Sequence, residues 1–210
     1  MLMDLTTLVR THSLHIDGVL HLGAHTGEEA RDYHRNRCGE VWWVEADPAV
    51  IPALSDHVGR WGHHVIEACV AEVDGDERIF HRANNHQSSS LYELGTHLDV
   101  APDVHYVSEF TVTTRTVDSL VAEHGIRANF INADLQGGEL SALKGGLGFL
   151  AGVDYIYSEV NWEALYVGCP LLPEVDAWLA QVGFTRYDTM RAGNSGWGDA
   201  LWARPETLGL

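Results

Sequence analysis

The feature that most constrains this chain is a regular alternation of short apolar runs with segments of helical periodicity. The runs DGVLHLG, VWWVEA, ANFINAD and VDYIYSEVN are each the length of a buried strand, and helix-like segments separate them. Buried strands that alternate with helices pair in parallel, because each helix returns the chain to the same edge of the sheet. The pattern therefore predicts an α/β fold with a doubly wound, mainly parallel sheet.

The two ends of the chain and one internal stretch depart from this alternation. Residues 1–16 predict an amphipathic N-terminal helix. FTRYDTM and GDALWAR are joined by the short, glycine-rich RAGNSGWG, so these last two strands are predicted to pair antiparallel at one edge. Residues 82–105 form a polar excursion that we expect to cross the surface and bind the substrate. With 45% hydrophobic residues in a chain of 210, residues 1–210 are predicted to form a single domain.

Charge and cysteine content exclude several classes of function. The formal net charge is -17, from 30 acidic and 13 basic residues, which argues against a nucleic-acid partner. No apolar run reaches the roughly 18 residues of a membrane span, and the first residues lack a basic targeting region, so no membrane partner is expected. Cys38, Cys69 and Cys169 are widely spaced, which favours a reducing compartment. The sequence predicts a soluble, cytoplasmic protein.

A glycine turn follows the first predicted strand in VLHLGAHTGEE. Gly23 and Gly27 allow close approach of the backbone to a ligand at the start of a helix. Glu45 ends the second strand, where an acid commonly binds the two hydroxyls of a ribose. The spacing G-x-x-x-G lacks the full dinucleotide pattern G-x-G-x-x-G, and a purely structural turn is the alternative interpretation.

Six successive segments resemble one known family. LHLGAHTGEE, WWVEADP, NNHQSSSLYELGTH, NFINADLQGGELSALKG, DYIYSEVN and GWGDALW are similar, in order, to the blocks of FkbM-type S-adenosylmethionine-dependent methyltransferases, from about Gly18 to Arg204. The resemblance implies a class I methyltransferase (Rossmann-like) sheet of seven strands with a C-terminal antiparallel hairpin. It also implies O-methylation of a sugar hydroxyl in a glycan, in a polysaccharide such as methylmannose polysaccharide, or in a glycosylated natural product.

The same resemblance implies a binding site for S-adenosylmethionine. The turn after the first strand would line the amino-acid portion of the cofactor, Glu45 would bind the ribose, and the end of the third strand would flank the adenine. The family carries an acid two residues before its first glycine, where this chain has His21, and Glu28 or Glu29 is expected to take over that contact. The predicted cofactor-binding residues are Gly23, Ala24, His25, Gly27, Glu28, Glu45, Cys69 and Val70.

Methyl transfer to an alkyl hydroxyl needs a route for the hydroxyl proton as well as in-line positioning. His86, in the predicted excursion, is the first candidate for a general base, since a histidine titrates near neutral pH. His25 is closer to the cofactor and is the second candidate. For both residues a purely structural role in the loop or turn is the alternative. The predicted substrate-binding residues are Gln87, Ser88, Ser89, Ser90 and Trp162.

A divalent metal ion is the other predicted way to acidify the hydroxyl. Asp134 ends one strand, and Glu159 and Asn161 end the next, so three oxygen ligands are expected at the methyl end of the cofactor. Such ligands suit Mg²⁺ or Mn²⁺. The arrangement is similar to that of catechol O-methyltransferase. The alternative is that Asp134, which is also a candidate catalytic residue, caps the following helix.

Two other classes of function compete with methyl transfer. An NAD(P)-linked oxidoreductase or epimerase would use a similar sheet, but the missing glycines and the absence of a YxxxK pair disfavour it. A non-catalytic module that binds a ligand on the same fold is the second competitor. The sequence predicts a hydroxylated sugar as the acceptor and leaves a homodimer open.

Overall fold

The computed structural model describes residues 1–208, and a seven-stranded sheet forms its centre. The strands of the described residues are β1 (Gly18–Leu22), β2 (Glu40–Glu45), β3 (His64–Glu67), β4 (Cys69–Val70), β5 (Glu77–Ala83), β6 (Tyr106–Arg115), β7 (Phe130–Ala133), β8 (Tyr155–Asn161), β9 (Thr185–Arg191) and β10 (Trp197–Ala203). The helices are α1 (Leu5–His12), α2 (Ala30–Asn36), α3 (Ile51–Gly59), α4 (His97–Val100), α5 (Val117–His124), α6 (Glu139–Lys144), α7 (Leu147–Leu150) and α8 (Leu172–Gln181), followed by a 3-10 turn at Pro205–Leu208.

The order of the central sheet is β3-β2-β1-β7-β8-β10-β9. The pairs from β3 to β8 are parallel, and β10 runs antiparallel to both of its neighbours. This confirms the predicted α/β class, the mainly parallel seven-stranded sheet and the closing antiparallel hairpin. None of the helices in the described part of the chain has the length and apolar character needed to cross a membrane.

Apolar side chains cover both faces of the central sheet, which explains the uninterrupted apolar runs in the sequence. Successive residues of a strand point to opposite faces. In β1, Leu20 packs in one core with Ile131 and Trp202, whereas Val19 packs in the other core with Phe130 and Leu201. Because two cores hold β1 and β7 in place, the carboxyl ends of these strands form a rigid edge.

A smaller sheet, in the order β4-β6-β5, lies outside the central one. It carries the start of the predicted excursion, because Arg82 and Ala83 belong to β5 and the loop itself begins after them. The predicted N-terminal helix over 1–16 is shorter in the structure and spans Leu5–His12. The Asp4 carboxylate accepts a hydrogen bond from the Thr7 amide (2.7 Å) at its start, and Ser13 in a left-handed conformation ends it.

His21, two residues before Gly23, lies in a buried polar network inside β1. The Asn132 amide donates to the Tyr33 hydroxyl (2.8 Å), and that hydroxyl lies 3.0 Å from Nδ1 of His21. The His21 ring stacks on Trp43 at 4.6 Å between centroids. Burial lowers the pKa of His21 to about 4, so the ring is neutral and its Nδ1 accepts a hydrogen bond from the Tyr33 hydroxyl. His21 therefore joins β1 to α2 and β7.

Removal of the central hydroxyl of this network tests its contribution to stability. Tyr33→Phe removes the hydroxyl that Asn132 and His21 share and leaves them only their mutual contact at 3.4 Å, so we expect a loss of about 1–3 kcal/mol in the free energy of unfolding. Urea denaturation measures it. Tyr187→Phe, at a half-buried tyrosine whose hydroxyl has no partner among the described residues, is the control with an expected change below about 0.5 kcal/mol. Equal losses in the two variants would contradict the account.

Candidate active site

A cavity of about 610 Å³ opens at the carboxyl ends of β1, β2, β7 and β8. This is the edge at which open α/β sheets bind their ligands, and the volume is that of a site for a small-molecule cofactor with its substrate. Most of the predicted site residues line this cavity. They are Gly23, Ala24, His25, Glu28, Glu45, Cys69, Val70, His86, Gln87, Ser88, Ser89, Asp134 and Glu159.

The turn after β1 passes very close to the residue that follows β7. Gly23 has a φ of +81°, and a Cβ atom at this position would lie 1.8 Å from the Asp134 carbonyl oxygen. Only glycine fits such a contact in this conformation. The Gly23 amide donates to the Val44 carbonyl (2.9 Å), and the Asp134 amide donates to the Leu22 carbonyl (2.9 Å). The glycine thus sets how closely the three strand ends approach.

The Glu45 carboxylate is fixed at the end of β2 by two backbone amides. The His25 amide donates to its Oε2 (2.8 Å) and the Asp47 amide to its Oε1 (2.7 Å). Burial raises the pKa of Glu45, although these amides act in the opposite direction. Each oxygen retains a second acceptor position, which is the chemistry that a pair of ribose hydroxyls requires. Beyond Glu45, the wall becomes apolar at Val70 and Phe80, which suits a planar base.

His25 is held by the turn itself. It has a φ of +43°, and its Nδ1 lies 2.6 Å from Oε1 of Glu28. The hydrogen bond to Glu28 raises the pKa of His25. Burial acts to raise the pKa of Glu28, but the hydrogen bond and charge of His25, together with the other hydrogen bonds to the carboxylate, outweigh it and the pKa falls to about 2. A histidine paired in this way holds its proton, which disfavours the predicted role of His25 as a base.

His86 is oriented by a carboxylate. Its Nδ1 lies 3.1 Å from Oδ2 of Asp47, and the Arg82 guanidinium donates to the same carboxylate from Nε at 2.8 Å. Asp47 is buried, which acts to raise its pKa, but the hydrogen bonds from Arg82, the Ala49 amide and His86, with the charge of Arg82, together lower the pKa of Asp47 below its usual value. His86 is half-exposed, has a φ of +59° and lines the cavity. An aspartate on Nδ1 leaves Nε2 available to accept a proton.

A second set of hydrogen-bonded polar side chains lies on the cavity wall at the ends of β7 and β8. The Gln136 side-chain amide donates to Oδ1 of Asp134 (2.6 Å) and to Oε2 of Glu159 (3.1 Å). The Tyr166 hydroxyl donates to the carbonyl oxygen of the same side chain (2.5 Å). The Gln136 side chain therefore lies between two carboxylates that the sequence analysis predicted to share one metal ion.

The carboxylates around this group are held away from bulk water. Asp134 keeps part of its surface open to the cavity, yet the surrounding protein raises its pKa to about 6. Burial raises the pKa of Glu139 to about 7, and burial together with the charges of Asp134 and Glu139 raises the pKa of Glu159 well above its usual value. Burial also raises the pKa of Asp199, which pairs with Glu159 across β8 and β10.

Four predicted site residues do not line the cavity. Gly27 packs on Leu54 and Val58 of α3, and the Ser90 hydroxyl donates to the Gln136 backbone carbonyl (2.8 Å). Asn161 is buried, and its Oδ1 has no partner among the described residues. The Trp162 ring lies under the Arg191 guanidinium, 5.2 Å from it.

The carboxylates that lie close together differ from the predicted metal ligands. The carboxylate oxygens of Asp134, Glu139 and Glu159 lie within 4.8 Å of one another, and Asn161 does not line the cavity. Trp197 lies opposite Asn161 in the pairing of β8 with β10, and it is Trp197 that reaches the cavity. Alternation along β8 alone therefore did not predict which side chain lines the cavity at this level. The paired residue on β10, Trp197, lines it, and Asn161 does not.

Sequence reasoning missed several residues of the site. Gln136 has a left-handed backbone conformation (φ +52°), which no local sequence pattern predicts. Asp47 was visible in WWVEADP, two residues after Glu45, but its contact with His86 depends on the fold of the excursion. His97 is buried on α4, lines the cavity and packs over Tyr166 at 5.4 Å between ring centroids. Burial lowers the pKa of His97, so it is a neutral side chain of the wall.

A family model and one curated relative match this chain. The model described as the Methyltransferase FkbM domain matches residues 21–186. The 2-O-methyltransferase NoeI of Sinorhizobium fredii (strain NBRC 101917 / NGR234) is 26% identical over 161 residues, which cover 71% of this chain and 65% of the relative. The chain thus spans just under two thirds of the length of that relative.

Solved structures share the fold. The Methanococcus jannaschii fibrillarin pre-rRNA processing protein is similar with a TM-score of 0.54 at 15% identity, covering 90% of this chain and 66% of that one. The magnesium protoporphyrin IX methyltransferase of Synechocystis PCC 6803, solved with bound S-adenosylmethionine, is similar with a TM-score of 0.54 at 8% identity, covering 95% and 75%. At these identities the likeness concerns the fold alone.

The raised pKa of Glu139 makes stability depend on pH. An acid whose folded pKa exceeds its unfolded value costs no stability below the unfolded value, and the folded state loses stability as the pH rises towards the folded value. We therefore expect the free energy of unfolding of the apo protein to fall by roughly 1–3 kcal/mol between about pH 4.5 and 7.

Glu139→Gln tests this assignment. The amide oxygen of the variant still accepts from the Leu135 and Gly137 amides, but the side chain no longer titrates. Urea denaturation across this pH range should show a smaller decline for Glu139→Gln than for the wild type. Glu77→Gln, at an exposed position on β5, should keep the wild-type decline. An unchanged decline in Glu139→Gln would refute the assignment.

Proposed function

Since the chain belongs to the FkbM methyltransferase family, we propose that this S-adenosylmethionine-dependent methyltransferase methylates a hydroxyl oxygen of a sugar. The observation that carries the proposal is a shared cavity. The turn after β1, which contains Gly23 and His25 and is assigned to the cofactor, and the segment 85–89 line the same space. That segment provides amide and hydroxyl groups suited to a polyhydroxylated acceptor. The printed name of the relative, a 2-O-methyltransferase, supports oxygen as the accepting atom.

The residues of the cavity fit S-adenosylmethionine. When bound, this cofactor supplies a methyl group activated by a sulfonium. Gly23 leaves room for the methionine portion against the backbone, Glu45 offers two fixed acceptors for the ribose, and Cys69 and Val70 flank the place of the adenine. The carboxylates of Asp134 and Glu159 lie at the far end, where a cationic centre is stabilised by nearby negative charge.

We assign the removal of the hydroxyl proton to His86. Asp47 holds Nδ1 of the ring, Arg82 holds Asp47, and Nε2 is left to accept the proton from the acceptor. A base oriented by a third group is the arrangement by which hydroxyl nucleophiles are commonly activated. In-line alignment of the acceptor oxygen with the methyl group supplies the rest of the rate acceleration.

The pair of Asp134 and Glu159 is the second candidate for the base. Their raised pKa values are the specific observation in favour, because a base works best when its pKa lies near the working pH. These two groups share the Gln136 amide, so they titrate as a pair. In our account the pair stabilises the cationic cofactor, and His86 moves the proton.

The predicted Mg²⁺ or Mn²⁺ ion does not fit this arrangement. Its oxygen donors are present, but the N–H groups of Gln136 point into the gap between Asp134 and Glu159 that a cation would fill. Oε1 of Glu139 already accepts two backbone amides, from Leu135 and Gly137. We therefore derive no step through a metal ion.

Kinetics of matched variants separate the two candidate bases. His86→Ala should lower kcat by roughly 10²–10⁴-fold and leave cofactor affinity intact, whereas Asp134→Asn should mainly weaken cofactor binding. Methyl transfer from labelled S-adenosylmethionine gives kcat, and calorimetry with S-adenosylhomocysteine gives affinity. His105→Ala, in the exposed part of the excursion, is the control and should leave both values near those of the wild type.

The opposite kinetic result would assign the role of general base to the carboxylates and not to His86. If Asp134→Asn or Glu159→Gln lowers kcat with intact affinity while His86→Ala does not, the carboxylate pair is the base. Tight cofactor binding without transfer to any hydroxylated acceptor would instead favour a non-catalytic module. Family membership removes the oxidoreductase or epimerase alternative. Cytoplasmic location and a homodimer stay predictions.

A further inference from the structure

The charges on the cavity wall point to the form in which the acceptor arrives. We infer that the cavity admits only an acceptor without negative charge, so that the enzyme methylates a sugar after its glycosidic bond has formed, and not as a sugar phosphate or a nucleoside diphosphate sugar. The inference rests on the proposed transfer to a sugar hydroxyl and goes beyond it. It concerns the chemical class of the acceptor and the order of two reactions.

The wall is strongly acidic. Its acidic residues are Glu28, Glu29, Glu45, Asp134, Glu159 and Asp199, and among the described residues no lysine or arginine lines the cavity. Phosphate groups are normally bound by arginine, lysine, a metal ion or a glycine-rich loop of free amides. The glycine turn after β1 is assigned to the cofactor, and its His25 amide already donates to Glu45.

Three cations around the cavity are already bound to other groups. Arg82 is bound to the buried carboxylate of Asp47. The Arg191 guanidinium donates to the Ser195 carbonyl (2.7 Å) and lies over Trp162. The Met1 amino group donates to Glu29 at 3.0 Å. An anionic acceptor that used one of these three charges as its counter-charge would have to break the present contact.

The part of the wall left for the acceptor is uncharged. One side is polar, with Asn85, Gln87, Ser88 and Ser89, and the other is apolar, with Val104, Leu165 and Trp197. Amides and hydroxyls bind sugar hydroxyls, and an apolar wall suits the C–H face of a sugar ring. Neither side offers anything specific to a phosphate.

The net negative charge of the protein also disfavours binding of an anionic acceptor. The chain carries a formal net charge of -17, and the carboxylates of Asp134 and Glu159 lie on one wall of the cavity, both bound to the Gln136 amide. A unit negative charge about 8 Å from one carboxylate, at an effective dielectric constant of about 20, lowers binding by roughly 30-fold. A diphosphate facing several carboxylates is disfavoured more strongly. A glycosidic bond replaces this group with a neutral one.

Matched acceptors test the inference. Each sugar is offered as its methyl glycoside, its 1-phosphate and its nucleoside diphosphate, with labelled S-adenosylmethionine and mass detection of the product. For whichever sugar is methylated, we expect kcat/KM for the methyl glycoside to exceed that of both charged forms by at least about 30-fold. A charged form that reacts as well as or better than its methyl glycoside would overturn the inference.

A charge introduced on the wall gives the matched variants. Gln87 is exposed on the polar side, and its side chain has no hydrogen-bond partner among the described residues. Gln87→Lys should raise kcat/KM for the sugar phosphate relative to the methyl glycoside by about tenfold, and the neutral control Gln87→Leu should leave that ratio unchanged. An unchanged ratio in Gln87→Lys would count against electrostatic exclusion.

A binding measurement keeps this inference separate from the proposed function. Inorganic pyrophosphate is titrated into the protein loaded with S-adenosylhomocysteine, and no saturable heat is expected. Saturable binding that weakens in Ser88→Ala would place an anion site in the cavity and overturn the inference. If no sugar form is methylated at all, the proposed function fails, and the pyrophosphate titration still decides whether the cavity excludes anions.

Discussion

The close contact of two strand ends at Gly23 is the constraint on which the site depends. The turn after β1 can lie against the Asp134 carbonyl only because residue 23 lacks a side chain and adopts a positive φ. This contact brings the end of β1 beside the end of β7, and the hydrogen bonds that the Gly23 and Ala24 amides donate to the Val44 carbonyl add the end of β2. One backbone feature therefore positions the carboxylates that face the cofactor, Glu45 on one side and Asp134 on the other.

The site is built from carboxylates held by neutral or backbone donors. Two amides fix Glu45, and the Gln136 side chain joins Asp134 to Glu159. Because these donors carry no full charge, the wall retains its negative character, which suits a cationic cofactor and opposes an anionic acceptor. In our proposal, binding of the cofactor and exclusion of phosphorylated sugars therefore have one physical origin. Asp47 differs, since Arg82 neutralises it and leaves it to orient His86.

The sequence was a good guide to strands and a weaker guide to contacts between side chains. Apolar runs and glycine turns are local signals, so the sheet, its hairpin and the cofactor turn could be predicted. The contacts of Gln136 and Asp47 join residues 23 and 39 positions away, Glu159 and His86, and no local pattern specifies them. Asn161 was expected beside Glu159 from strand alternation, but Trp197 on β10 occupies that edge.

The most direct test of the account is calorimetric titration of S-adenosylhomocysteine into the wild type, Glu45→Gln and Glu67→Gln. Glu67 lies beside Glu45 in the pairing of β2 with β3 but is exposed, so it controls for the loss of a charge at the same level of the sheet. We predict one binding site in the wild type, unchanged affinity in Glu67→Gln, and affinity reduced by roughly tenfold or more in Glu45→Gln. Wild-type affinity in Glu45→Gln, or no binding to the wild type, would contradict the account.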